Sequence, residues 1–95
     1  MRRYSLLPLP DRPYIPGQTP RPPETVYSGD ARETYLHAID LFNRGYWWEC
    51  HQELEHLWIV AGRNGERARF FQGLIQVCAV CFNHREYGFC SYMEY

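Results

Sequence analysis

The chain has 95 residues, with ten basic side chains against eleven acidic ones and a formal net charge of −1. That balance gives no long-range field for nucleic acid or an anionic membrane, so neither is an expected partner. No apolar run approaches the ~20 residues that span a bilayer. Met1-Arg2-Arg3 is followed by a proline-broken stretch too short for a signal peptide. The cytoplasm is the expected compartment, and Cys50, Cys78, Cys81 and Cys90 are not expected to form a disulfide framework there.

All seven prolines lie at or before Pro23. Residues 1–29 therefore read as an extended Pro-rich arm, because proline fixes φ and lacks an amide donor. Tyr4, Leu6, Leu7, Leu9, Tyr14 and Ile15 make it too apolar for a solubilising tail. The arm is expected to pack on the helical body, its own or a neighbour's. Residues 30–95 form the helical domain. A unit this small has little core, so a homo-oligomer is a natural second source of burial.

Helix one is expected over residues 31–43. Asp30 is the N-cap, and Glu33 completes a capping-box pattern. Ala31, Tyr35, Ala38, Ile39 and Phe42 share the core face, while Glu33, His37 and Asp40 share the solvated one. Gly45 supplies a left-handed stop.

Helix two is expected over residues 47–61, ending at Gly62. At 100° per residue, Trp47, Cys50, Leu54, Leu57, Trp58 and Ala61 form a core stripe. Glu49, Gln52, Glu53 and His56 lie opposite, facing water. His51 and Glu55 stand one turn apart on the edge of the stripe beside Trp58. Such a pair can hydrogen-bond and fix helix register, ligate a divalent metal, or act as an acid–base couple. The second histidine of the His-Glu-x-x-His zinc motif is missing: His51 is followed by Gln52, and Glu55 stands four residues on.

Gly62-Arg63-Asn64-Gly65 makes a polar turn. Helix three is expected over residues 66–83. It carries no charge from Phe70 onward, which suggests a central, largely buried helix. Its apolar face holds Phe70, Phe71, Leu74, Ile75, Val77, Cys78, Cys81 and Phe82. Gln72 and Gln76 lie off that face beside Gly73. Buried amides need partners, and a mid-helix glycine suits the close approach of another helix. Gln72 and Gln76 are accordingly expected to face the His51/Glu55 edge. Cys78-x-x-Cys81 with His84 and Cys90 has a zinc-like spacing. Mid-helix cysteines on an apolar face are, however, ordinary core residues.

Two stretches carry a family resemblance. Residues 42–58, with Asn43-x-Gly45, paired aromatics and Glu49-x-His51-x-x-x-Glu55-x-x-Trp58, resemble the signature of domain of unknown function family 309. Phe70-Phe71-Gln72-Gly73-Leu74-Ile75-Gln76 resembles its second signature. The resemblance implies an all-α fold: a small bundle of about three main helices behind the arm. It brings no established activity. It marks Glu49, His51, Glu55, Trp58, Gln72, Gly73 and Gln76 as the positions of interest. Gln52 stands where the family usually has glutamate. The tail from Cys81 does not continue the family's helical pattern, which leaves the core to be closed by the arm or by a partner chain.

Two functional expectations follow. In the first, the chain is a non-catalytic or oligomerising helical module whose His/Glu/Gln cluster fixes helix register. In the second, it is a metal-dependent hydrolase or metal-binding protein. His51 and Glu55 would then be the catalytic and metal-binding pair, with Glu49, Trp58, Gln72 and Gln76 binding an unidentified small molecule.

Overall fold

A computed structural model describes residues 2–23 and 25–83. Those residues form three helices and no strand: α1 (Ala31–Asn43), α2 (Trp47–Val60) and α3 (Gly65–Asn83). The Asp30 side chain accepts the Glu33 amide at 3.0 Å and starts α1. Gly45, at φ 80°, turns the chain into α2. The Gly45 amide donates to the Phe42 carbonyl and the Tyr46 amide to that of Leu41. Gly62 and Gly65 take positive φ in the second turn, and Arg63 joins them at φ 62°.

The central helix is α2, which packs on α1 along one flank and on α3 along the other. The core gathers Leu41 and Phe42 from α1, Cys50, Leu54 and Leu57 from α2, and Phe71, Cys78 and Cys81 from α3. Leu54 is fully buried at the centre, where truncation to alanine costs ~2–5 kcal/mol.

This order corrects the reading of α3 as the central helix. Phe70, Val77 and Val80 are 53%, 46% and 52% exposed. Lack of charge marked α3 as apolar, but α2, with Tyr35 of α1 against Phe70 and Phe71, leaves these side chains partly open. Gly73 is corrected with it. A Cβ built there meets nothing within 4 Å, so no helix approaches at that point among the described residues.

The polar faces of α1 and α2 are also corrected. Asp40 is fully buried, and Glu49 and Glu53 are nearly so. His37, Gln52 and His56 are half-buried. The described residues before α1 hold no helix or strand, and several of them bond to these faces. Asp40 Oδ1 accepts the Tyr4 amide at 2.9 Å, and Oδ2 accepts the Ser5 amide at 2.8 Å and Arg3 Nε at 3.0 Å. Glu33 does not close its capping box. Its Oε1 accepts Ser5 Oγ at 2.6 Å and the Leu6 amide at 3.1 Å. Further along, the Tyr46 hydroxyl donates to the Pro10 carbonyl at 3.0 Å, and Thr25 Oγ1 pairs with His56 Nε2 at 2.9 Å.

Sulfur departs from expectation at one position. Cys50 and Cys78 are free and buried, but Cys81 is disulfide-bonded. A bond between sulfurs depends on their approach in the fold, which cysteine spacing along the sequence does not report. His84 and Cys90, the other members of the zinc-like spacing, lie outside the described residues.

Candidate functional site

His51 and Glu55 meet within α2. His51 Nε2 lies 2.5 Å from Glu55 Oε1, and Nδ1 lies 3.1 Å from the Trp48 carbonyl. Both ring nitrogens thus face acceptors. The Glu55 side chain is 49% exposed. An i,i+4 pair of this kind contributes only ~0.3–0.5 kcal/mol. It also lies along one helix, so it does not by itself fix the register between two.

Beside His51 is a cavity of about 90 Å³, closed by Trp47 and Trp48 from α2 and by Cys78, Ala79, Phe82 and Asn83 from α3. These are the α3 residues that reach His51. Gln72 and Gln76 do not; both are exposed further along the helix. The glutamines were placed from a helical wheel. A wheel gives an angle and says nothing of which turn of the neighbouring helix lies alongside. Among the described residues, no third His, Cys, Asp or Glu joins the pair in a metal-holding group.

Glu49 has a different setting. Its Oε2 accepts the Tyr14 amide at 3.0 Å, while its buried Oε1 has no partner. Burial pushes the carboxyl above the ordinary range, against the lowering effect of its own and the Tyr14 amide. Asp40 goes the other way. Burial raises it, but the amides of Tyr4 and Ser5 and the Arg3 guanidinium outweigh that, and its pKa is lowered. Burial also lowers His37, against the pull of Glu53 and Asp40, and its Nδ1 is unpartnered.

Trp58 is half-buried against the core, with its indole N–H unpartnered and the Arg63 guanidinium 5.7 Å from its ring. Trp48, which the wheel left unassigned, is the more connected tryptophan. Its ring centroid lies 5.2 Å from Tyr14, 5.1 Å from His51 and 5.7 Å from Phe82. Tyr14 was already conspicuous as an aromatic in a proline-rich stretch. Nothing in the sequence pairs it with Trp48.

The family model for a domain of unknown function, DUF309, matches residues 35–89, more than half of the chain. The chain belongs to the DUF309 family. No curated protein and no solved structure matches it. The DUF309 match takes in all of α2 and α3 and most of α1, so the His51/Glu55 pair and Glu49 all lie within it. The Pro-rich residues that cap Asp40 and Glu49 lie ahead of it.

Proposed function

We propose that this DUF309 chain is a non-catalytic helical module of the cytoplasm that associates with copies of itself. One observation carries this reading: the candidate polar residues do not converge. His51 and Glu55 satisfy each other on one helix, Glu49 holds the Tyr14 amide, and Gln72 and Gln76 stand on an open face. Self-association rests on α3. Phe70, Gly73, Val77 and Val80 recur at the spacing of a helix-pairing seam, and three of the four are exposed apolar side chains. Sedimentation velocity on the intact chain and on Val77→Glu tests it. A dimer or larger species that Val77→Glu returns to monomer supports the module, and a monomer at high micromolar concentration argues against it.

A metal-dependent hydrolase using His51 and Glu55 is the second reading, favoured by the half-buried histidine at the mouth of a small cavity. Metal analysis of protein purified without chelator separates the two. Stoichiometric zinc, manganese or iron lost in His51→Ala would support the hydrolase.

A further inference from the structure

Three polar atoms are stranded along α2, and one of them, on Glu49, lies where residues 10–23 cross it. Glu49 Oε1, Gln52 Oε1 and the Trp48 indole N–H are all buried without a hydrogen-bond partner. Two of them are acceptors, and they sit within one turn of each other. Each stranded group costs ~1–3 kcal/mol, so a group that supplies donors there gains what the closed chain forgoes. Glu49 also lines a cavity of about 270 Å³ whose other walls are Pro10, Pro13, Tyr14 and the prolines after Thr19, with Arg12 and Arg21 at its sides.

Arg21 indicates what kind of group fits. Its guanidinium carbon stands 5.2 Å over the Trp48 ring, and Arg21 and Glu49 line the same cavity. A planar cation on an aromatic face beside a buried carboxylate is the arrangement such cations are bound by. Here the chain itself supplies the cation, yet Arg21 has no hydrogen bond to Glu49 among the described contacts. Among the described residues, Glu49 is the sole acidic one lining the cavity.

We infer that the cavity between residues 10–23 and α2 is a binding site for a guanidinium-bearing ligand. Glu49 accepts its N–H groups, Trp48 stacks on its plane, and Arg21 stands over that ring in the unliganded chain. Glu49 Oε1 is closed off while the Tyr14 amide holds Oε2, so binding displaces residues 12–15 as well as Arg21. The site shares Trp48 with the surroundings of His51 but uses neither His51 nor Glu55, so it does not depend on whether that pair is catalytic.

The test is an NMR titration of the full chain with methylguanidinium chloride, read at the Trp48 indole and Tyr14 amide signals, with sodium chloride at matched ionic strength as control. A saturable shift at millimolar probe is expected. Arg21→Ala should bind at least threefold more tightly because the internal competitor is gone, and Glu49→Gln at least tenfold more weakly. Should Glu49→Gln fail to fold, the gain in Arg21→Ala still decides. The inference is overturned if neither the intact chain nor Arg21→Ala shows a saturable shift, if sodium chloride gives the same response, or if folded Glu49→Gln binds as the intact chain does.

Discussion

The amide of Tyr14 donates to the carboxylate of Glu49 across 3.0 Å, tying a proline-rich segment to the first turn of α2. Burial raises the Glu49 pKa in spite of this bond. A carboxyl whose folded pKa is raised contributes stability that is present below its unfolded pKa and lost as pH rises through the folded value. Glu49→Gln keeps an acceptor for Tyr14 and removes the buried charge. Its melting temperature should exceed that of the intact chain at pH 7.5, with the gap closing by pH 4. Each kcal/mol recovered is worth about 4–8 °C in a domain of this size. A uniform loss at both pH values would sink this account.

Asp40 has the opposite sign. Its folded pKa is lowered, so its contribution is present above the ordinary carboxyl range and disappears as pH falls through the folded value. Asp40→Asn should cost about 2–3 kcal/mol at pH 7, because Arg3 and two amides lose a charged acceptor. Hydrogen exchange at Tyr4 and Ser5 should speed up in the variant. Urea unfolding at pH 7 and pH 3 should show the deficit shrinking in acid.

His37 contributes in a higher window. Its pKa is lowered chiefly by burial. The stability it carries is therefore present above the ordinary histidine value of about 6.5 and is lost as pH falls through the folded value. His37→Gln should remove whatever slope in stability remains between pH 6.5 and 5. An unchanged slope would place its origin elsewhere.

The thiols of Cys50 and Cys78 lie 3.3 Å apart in the core, and burial, followed by the neighbouring Cys78, pushes the Cys50 pKa well up. A thiol reacts as its thiolate. Neither should react with a disulfide reagent in native buffer over minutes, and both should react at once in denaturant. Rapid native labelling would mean that the α2–α3 seam opens far more readily than its packing suggests.

Gly73→Ala reports on the open side of α3. With nothing within 4 Å of a Cβ there, alanine should stabilise the isolated chain by up to ~1 kcal/mol through helix propensity alone. Destabilisation, or a concentration-dependent melting temperature that the change abolishes, would mean that another surface already packs against this glycine.

The helices were legible in the sequence because each has a local mark: Asp30 at the start of α1, Gly45 and Gly62 at its two following turns, and apolar recurrence between them. The His51/Glu55 pairing was legible for the same reason, being one turn of one helix. What the sequence hid was contact between distant residues. Asp40, Glu33 and Glu49 have the spacing of solvated side chains, yet they accept backbone amides from residues 4–14, with Asp40 and Glu49 buried and Glu33 half-buried. Those amides carry no side-chain signal. Gln72 and Gln76 are exposed, and a wheel of α3 alone does not tell which of its turns a neighbour covers.

The same backbone amides have a consequence for where this chain can be divided. The proline-rich residues look detachable, and the family match begins only at Tyr35. Yet a fragment starting at Asp30 would strip Glu33, Asp40 and Glu49 of the amides they accept. Three carboxylates would then lose hydrogen-bond donors that the helices themselves do not supply. The residues before α1 therefore complete the hydrogen bonding of the bundle's carboxylates, and the smallest unit that keeps those bonds begins ahead of the helices.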